Sequence, residues 1–438
     1  MRRAFALFLF VVLCSRAAAA QVPPAGVAQP PTAPPERSIE DLNLVGGVAT
    51  MPPFPDTLLG ATSSVRRAMF SKGMVWRLNI LPRFADNVLD GPVPASQQVY
   101  VGQRPTLISG VNTIFTADLR QLHLHHAQLN AGVGWRWSSW QPASPNTVAV
   151  TSLYLFKRWG DRRVEMKAGY VPNDLEFVGQ QVGGSTSTGT VGVYAVLPNE
   201  VGMSYFPLAA PSLNVRVRGA GHTYFKTGLQ RSLDAAGSQS TVDRNPTGMK
   251  VLVDGDKLLF IQEGGYQRAY SARDPQIWLR AGYMHNDTLY TSKITGKKTT
   301  GNYCAYVLVD YQIRKPDPAA PAEGTFFGVS AMTVPAEFNA YAQYYEARLY
   351  QRGPFQSRPT DVVSFVASYR THSRWVTDAL AAQGKTVWRG SPSFSGTYSL
   401  HATKGNFLSM GLSYVRGAAI TPRVNDSLTF TVNWNLYI

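Results

Sequence analysis

The last twelve residues of the chain alternate between apolar and polar side chains without a break. The apolar positions are Leu428, Phe430, Val432, Trp434, Leu436 and Ile438. The polar positions are Ser427, Thr429, Thr431, Asn433, Asn435 and Tyr437. Because successive side chains of an extended strand point to opposite faces, this period of two predicts a strand with two different faces. The pattern is typical of the closing strand of a transmembrane β-barrel, with lipid outside and water inside.

The same alternation recurs inside the chain, and several of the polar positions are charged. It occurs in Val164–Tyr170, Leu213–Arg218, Val363–Arg370 and Leu408–Tyr414. Such charges would be costly in a dry core, whereas a water-filled lumen accepts them. Allowing roughly ten residues for a strand and a similar length for a connection, about 375 residues give roughly 16 strands. We therefore predict an all-β fold, a transmembrane antiparallel β-barrel of about 16 strands, wide enough for an aqueous channel.

The N-terminus has the pattern of a secretory signal peptide, predicted over residues 1–20. Arg2 and Arg3 supply the basic region, and Ala4–Leu13 supply the apolar region. Since that apolar run is too short to span a bilayer as a helix, we expect export rather than a helical anchor. Removal of the signal leaves Cys304 as the only cysteine, so no internal disulfide is expected.

Two regions are predicted beyond the signal peptide. Residues 21–64 form a proline-rich N-terminal arm, with a possible short helix that begins near Ser38. Residues 65–438 form the barrel. Within the barrel, Asp254-Gly255 favours the positive φ angles of a short hairpin turn, so we predict a hairpin there.

Composition and charge are compatible with a barrel. Mean hydropathy is only −0.13, but half of the strand residues of a barrel face water and lower the average. The 21 Tyr and 9 Trp suit the aromatic girdles at the two membrane interfaces. The net charge is +15, or about +12 without the three arginines of the signal peptide. Export makes nucleic acid an unexpected partner, so lipopolysaccharide phosphates and a basic lumen are better explanations.

Several stretches in order resemble the carbohydrate-selective porins of the OprB type. They are Ala117–Leu119, Lys167–Phe177, Tyr224–Gln230, Glu263–Tyr266, Leu279–Tyr283, Val309–Gln312 and Gly353–Asp361. The resemblance implies an outer-membrane porin of a Gram-negative cell, through which monosaccharides or similar small hydrophilic solutes diffuse passively. It implies outer-membrane lipid and lipopolysaccharide as surroundings, a monomer or a homotrimer, and no cofactor.

The candidate solute-binding residues are charged or aromatic side chains predicted to face the lumen. They are Lys167, Arg216, Arg218, Glu263, Trp278 and Arg280. Guanidinium groups at a constriction would donate hydrogen bonds to sugar hydroxyls or attract anions. A second interpretation is ordinary lumen charge without selectivity, balanced by Glu165 and Glu263. Trp278 could stack against a sugar, although most Tyr and Trp residues of a barrel lie in its girdles.

Other functions are less well supported by the sequence. His123, His125 and His126 are placed at a strand end, and no metal site is expected because no Cys or paired carboxylate accompanies them. A barrel enzyme such as a phospholipase would need a nucleophile held by a histidine and an orienting partner, and no such motif stands out. We therefore predict a non-enzymatic channel, with a general or anion-preferring porin as the alternative to a sugar channel.

Overall fold

The computed structural model describes residues 38–43, 51–160, 163–179, 182–185, 189–191, 196–315, 317–420 and 426–438. The predicted signal peptide and the proline-rich start of the arm lie outside these ranges. Most described residues are in strands whose side chains alternate between buried and exposed. Seventeen strand segments form one sheet, and two of them are halves of a single strand interrupted at Leu81 and Pro82. A proline cannot donate a ladder hydrogen bond, which accounts for the break.

We number the sixteen strands β1 to β16, and β1 consists of the two segments Met74–Ile80 and Arg83–Asn87. The next seven are β2 Thr106–Asp118, β3 Ala127–Ser138, β4 Thr147–Trp159, β5 Val164–Val171, β6 Ala210–Arg218, β7 Thr223–Arg231 and β8 Leu258–Arg268. The remaining eight are β9 Ile277–Asn286, β10 Asn302–Arg314, β11 Gly324–Thr333, β12 Tyr341–Arg352, β13 Val362–His372, β14 Gly390–Thr403, β15 Asn406–Val415 and β16 Ser427–Tyr437.

The sheet closes on itself. Each strand is antiparallel to its neighbours in sequence, and β16 pairs with β15 on one side and with β1 on the other. Asn79 opposes Tyr437, and Arg83 opposes Asn433. Closure leaves no free strand edge, so every ladder hydrogen bond can be satisfied within the barrel. The prediction of an antiparallel barrel of about 16 strands is confirmed.

The two faces of the closing strand are as predicted. Ser427, Thr429 and Thr431 are fully buried towards the inside, whereas Trp434 is 47% exposed on the outside. The same alternation gives the barrel an outer surface of apolar and aromatic side chains. An outer surface of this composition matches lipid, because the hydrocarbon region offers no partner for polar groups.

Four α-helices and six 3₁₀ helices occur among the described residues. The α-helices are α1 Ser64–Ser71, α2 Val196–Glu200, α3 Ser238–Arg244 and α4 Arg374–Ala382. The 3₁₀ helices are Ile39–Leu42, Phe54–Asp56, Ala95–Gln97, Leu119–Leu122, Gln141–Ala143 and Asn173–Leu175. No helix in the described ranges is long and apolar enough to cross a membrane. Helix α1 occupies the predicted start of the barrel, where the Ser63 hydroxyl caps it by accepting from the Arg66 N–H at 3.3 Å, and β1 begins only at Met74.

The connections differ strongly between the two ends of the barrel. One end has tight turns such as 219–222 and 404–405, and the other has long connections such as 172–209, 232–257 and 373–389. Barrels of this class have short periplasmic turns and long extracellular loops. Because β1 starts and β16 ends at the short-turn end, we call that end periplasmic.

The hairpin predicted at Asp254-Gly255 is wrong. The turn itself is present, since Gly255 has a φ of 83° and the Asp256 N–H donates to the Val253 carbonyl at 3.1 Å. No strand precedes it, however, and Leu252 is 86% exposed. The turn belongs to the long connection 232–257, in which Arg244 of α3 forms an ion pair with Asp256 at 3.2 Å. This ion pair holds the turn against a helix, where we had expected a partner strand.

The connection 172–209, which we call the inner loop, folds into the barrel. It contains α2 and two short paired strands, Val182–Ser185 and Gly189–Val191. Its apolar side chains Phe177, Leu197 and Met203 pack against inward-facing residues of β8 to β12. Burial of each such side chain stabilises the loop by about 1.5–3 kcal/mol. Val182 packs on the inner face of β11 to β13, and the short strands extend along β12 to β15.

Candidate functional site: the inner loop and the lumen wall

Glu263 is the centre of a buried polar network beneath the inner loop. Its carboxylate pairs with Lys226 at 3.0 Å and accepts from the hydroxyls of Tyr224 and Tyr306 at 2.9 and 2.8 Å. It also accepts from the backbone N–H of Val178 in the loop at 3.0 Å. Glu263 is 1% exposed, so these four donors replace its hydration. The carboxylate therefore fastens the loop to the wall.

Lys167 makes a second link between wall and loop. Its ammonium forms an ion pair with Glu176 of the inner loop, and both residues are buried. Lys226 donates to the backbone carbonyl of the same Glu176 at 2.5 Å. The two lysines thus bridge β5 and β7 to one turn of the loop. Neither ammonium is left free to attract an anion.

Arg280 makes the third link through a chain of alternating charges. Its guanidinium pairs with Asp310 at 2.9 Å and donates to the backbone carbonyl of Gly179 in the loop. Asp310 also pairs with Arg348 at 2.8 Å, and Arg348 pairs with Glu346 at 2.8 Å. Each charge in this chain is buried and has an opposite charge as neighbour. Buried charges without such partners would be strongly destabilising.

The network holds the loop backbone in an unfavourable conformation at one residue. Val178 has a φ of 67°, in the left-handed region that β-branched residues avoid. Such a conformation costs about 1–3 kcal/mol and persists only where its surroundings impose it. The Glu263 carboxylate accepts from the Val178 N–H, and the Arg280 guanidinium donates to its carbonyl at 2.5 Å. These two contacts fix both peptide groups of the strained residue.

Trp278 belongs to the same network. The guanidinium of Arg280 lies 3.8 Å from the centre of its ring, and its Nε1 donates to the Tyr224 hydroxyl at 2.9 Å. The side chain is 7% exposed. One face of the Trp278 ring is therefore already covered by the Arg280 guanidinium. A sugar-stacking role for Trp278 stays a prediction.

The two remaining candidates lie further towards the periplasmic end of β6. Arg216 is half-buried, with its guanidinium 4.7 Å from the Tyr224 ring centre and a 3.0 Å hydrogen bond to Gln267. Arg218 pairs with Glu165 at 3.2 Å, and Glu165 also pairs with Arg158 at 3.0 Å. The structure therefore gathers Lys167, Arg216, Glu263, Trp278 and Arg280 around the loop anchor and leaves Arg218 apart. Glu165 and Glu263 both form the ion pairs that the charge-balance interpretation requires.

The free edge of the inner loop faces arginines that the sequence analysis missed. Phe206 of the loop lies 6.0 Å from the Arg136 guanidinium, and Asp174 is close enough for its carboxylate to attract that guanidinium. Arg83 of β1 is close enough to Arg136 for the two charges to repel. All four side chains are partly exposed. The sequence did contain a signal for Arg136, because Trp135 and Trp137 on either side alternate with it and face outwards.

A second acid of the inner loop faces another arginine, away from Arg83 and Arg136. Glu200 at the end of α2, a helix that contacts β12, is attracted by Arg370 of β13, whose guanidinium lies 4.7 Å above the Tyr341 ring. Burial raises the pKa of Glu200 to about 8, and burial likewise raises the pKa of Asp174 to about 7. Both acids are therefore substantially protonated near neutral pH. The inner loop then presents mainly neutral hydrogen-bonding groups to these arginines.

The three neighbouring histidines lie beside the start of a strand. His123, His125 and His126 are exposed in the connection between β2 and β3, and His123 and His126 have φ values of 59° and 56°. They form the turn that leads into β3 at Ala127, next to the strand end where they were predicted. Within the described ranges no three potential ligands from His, Cys, Asp and Glu come together as a metal site.

One serine–histidine contact resembles a nucleophile with its base. Ser391 Oγ lies 3.2 Å from His372 Nε2, and the other ring nitrogen of His372 contacts the Trp388 carbonyl. Ser391 is buried, however, and its hydroxyl donates to the Gly417 carbonyl at 2.5 Å. Its proton is directed away from the histidine, so the ring does not act as a base for this serine.

Comparisons with known proteins agree with this architecture. The family profile described as carbohydrate-selective porin, OprB family, matches residues 85–436. The high-pH structure of Pseudomonas putida OprB superposes with a TM-score of 0.73 at 14% identity, covering 87% of this chain and 98% of that one. Its low-pH structure gives 0.54 at 12% identity with the same coverage. No curated protein sequence matched. On the extent of the family match, the chain belongs to the carbohydrate-selective porin family OprB.

Proposed function

We propose that this porin lies in the outer membrane of a Gram-negative cell, exported by its signal peptide, and conducts monosaccharides by passive diffusion. The family assignment supports sugars as solutes, and the apolar outer surface of a closed barrel supports a membrane location. Outer-membrane lipid and lipopolysaccharide would surround it, and it would act as a monomer or a homotrimer. No covalent step is needed, since polar groups of the lumen replace part of the hydration of the solute.

The space beside the contact between Arg136 and Phe206 of the inner loop, here called the gap, carries this proposal. Arg136 on the wall and Asp174 on the loop are both partly exposed, and one buried atom of each, Nε and Oδ1, has no hydrogen-bond partner among the described residues. The guanidinium is a donor, and the acid can donate or accept. A sugar diol can accept from the guanidinium with one hydroxyl and bond to the carboxyl group with another. The Phe206 ring beside them offers an apolar surface to the C–H face of the sugar.

The test is block of single-channel ion current by glucose. The native protein should show a concentration-dependent fall in current, because a bound sugar displaces ions from the gap. Arg136→Met removes the donor but keeps most of the side-chain length, so half-block should require roughly tenfold more glucose. Arg273→Met, in an exposed turn, serves as the matched control and should behave as the native protein. Equal block in all three proteins would exclude the gap as the sugar site.

An anion-preferring porin is the second candidate, and one observation favours it. Arg83, Arg136, Arg216 and Arg370 face the lumen and form no ion pair within 4.0 Å among the described residues. Uncompensated arginines in a narrow lumen attract anions. The reversal potential in a salt gradient separates the two candidates. A strong anion preference together with no effect of glucose on the current would favour this alternative.

A further inference from the structure

We propose that residues 39–43 and 51–60, here called the strap, form a fixed second constriction at the periplasmic exit and set the upper size of the solute. This inference rests on the proposed channel function. The family match begins at residue 85, so the strap lies outside the part of the chain that the family assignment covers. Its role has to be argued from its own contacts.

The strap is fastened to the inner face of the first strands. Gln128 of β3 donates through Nε2 to the Asp41 carbonyl at 2.7 Å. Arg77 of β1 donates through Nη1 to the Pro52 carbonyl at 2.9 Å. Gln128 and Arg77 are both buried, at positions of the strands that face inwards. The strap therefore lies on the lumen side of the wall.

Phe54 anchors the middle of the strap. Its side chain is 0% exposed and packs with Leu42 and the inward-facing Val75. The ring lies between two guanidinium groups, at 3.8 Å from that of Arg77 and 4.8 Å from that of Arg66. Burial of a phenylalanine together with two cation–π contacts is a strong local anchor. A segment held in this way is a fixed part of the exit.

The other end of the strap is bound to the last strands. Asp56 Oδ1 lies 2.9 Å from His401 Nε2 of β14, and the Leu58 N–H donates to the Tyr437 carbonyl at 3.0 Å. The Gly405 N–H, in the tight turn between β14 and β15, donates to the Asp56 carbonyl at 3.2 Å. The strap thus reaches from β3, past β1 and β16, to β14.

The position of the strap complements that of the inner loop. The loop packs along the wall from β5 to β15 and leaves its free edge opposite Arg83 and Arg136 on β1 and β3. The strap occupies the periplasmic end of this same sector. A solute that passes between the loop edge and Arg136 would therefore meet the strap next. Two constrictions in series on one path both limit the size of the solute.

The test releases the strap and measures size selectivity. Phe54→Ala removes the central anchor, and the double variant Asp56→Ala with Gln128→Ala removes one side-chain contact at each end while keeping Phe54 and the backbone contacts. In each variant, single-channel conductance should rise about twofold, because a wider exit carries more ions. Liposome swelling with a disaccharide should rise relative to swelling with glucose. Phe355→Ala, an exposed phenylalanine in the turn between β12 and β13, is the matched control and should leave both values unchanged.

The outcomes separate this inference from the proposed function. Folding is checked first, by the resistance of the barrel to unfolding by detergent at room temperature. If the native protein conducts ions and glucose but folded strap variants keep its conductance and its disaccharide-to-glucose ratio, the strap inference is wrong and the channel function stands. If the native protein itself conducts nothing, the proposed function fails.

Discussion

Buried charges in the lumen are tolerated because each is surrounded by several partners. Glu263 has four donors, and the guanidinium of Arg348 lies between two carboxylates. Such groups are costly to isolate, since removing one partner leaves the other desolvated and unpaired. At the scale of single residues, the lysines and glutamates of this network act mainly on the position of the inner loop.

Glu263→Gln should therefore destabilise the protein. The variant keeps the shape of the side chain but leaves Lys226 buried without its counter-charge, at a cost of about 3 kcal/mol. Unfolding in detergent by denaturant, followed by tryptophan fluorescence, measures the change. Asp287→Asn, at an exposed carboxylate, is the control and should change stability by less than about 0.5 kcal/mol. Equal effects of the two substitutions would contradict an anchoring role for Glu263.

Ion selectivity should depend on pH through the two acids of the inner loop. The pKa of Asp174 is raised to about 7 and that of Glu200 to about 8, so both acids are neutral well below these values and charged above them. Raising the pH from about 6 to about 9 adds negative charge opposite the arginines and should reduce the preference for anions. The reversal potential in a salt gradient measures this shift. Asp174→Asn with Glu200→Gln should abolish most of it, and an unchanged shift in that double variant would contradict the assignment.

Strand periodicity predicted which side chains face inwards but not which of them pair. The alternation around Lys167 and Arg216 was sufficient to place both in the lumen. Their partners Glu176 and Tyr224 depend on the path of the inner loop and on the register between strands, and neither is encoded in a period of two. Asp174 and Phe206 were missed for the same reason, since a loop has no periodicity that would indicate its direction.

At the scale of secondary-structure elements, the segments outside the strands determine which parts of the inner barrel wall are covered. The inner loop and the strap approach the lumen from opposite ends: the apolar side chains of the loop pack against β8 to β12, and the strap packs against β1 and β3. The sequence predicted the strands well because each is an extended alternating run. It predicted the connections poorly: Asp254-Gly255 has the composition of a hairpin turn, yet α3 and its ion pairs place that turn inside a long loop. Helix α1 was also missed, although Ser63 provides a recognisable N-cap signal.

Close packing of the strap on the turn at Gly405 gives a test at this scale. Gly405 has a φ of 71°, and an added Cβ would lie 2.4 Å from the Tyr437 carbonyl oxygen at the end of β16 and 2.7 Å from the Leu58 backbone nitrogen of the strap. Gly384 has a φ of 74°, but an added Cβ would meet nothing within 4 Å. Each alanine substitution places a residue with a Cβ in the left-handed region, which costs about 1 kcal/mol of folding free energy. Gly405→Ala should cost roughly 1–3 kcal/mol more, because the end of β16 and the strap must also move. Equal unfolding free energies for the two variants would show that neither the strap nor the end of β16 packs closely on this turn.

At the scale of the whole molecule, closure of the sheet into a barrel was predictable from the last strand. A strand with one lipid-facing side needs a hydrogen-bonded partner on each edge, because lipid cannot satisfy its backbone groups. Chain length divided by strand and loop lengths then gave the number of strands. The solute was not predictable in the same way, since it depends on a few side chains of the lumen, such as Arg136 and Asp174. Asp174 lies close enough to Arg136 to attract its guanidinium, and this proximity is a property of the closed barrel with its loop in place.

The central claim is that the lumen favours monosaccharides over other solutes of the same size. Liposome swelling with the purified, refolded protein tests it most directly, using isotonic glucose, arabinose, glycerol, a disaccharide and an amino acid matched in size to a sugar. We predict that glucose and arabinose enter faster than the matched amino acid, that the disaccharide enters slowest, and that Arg136→Met reduces the advantage of the sugars. Swelling rates that depend on solute size alone, with no difference between a sugar and its matched amino acid, would contradict the account.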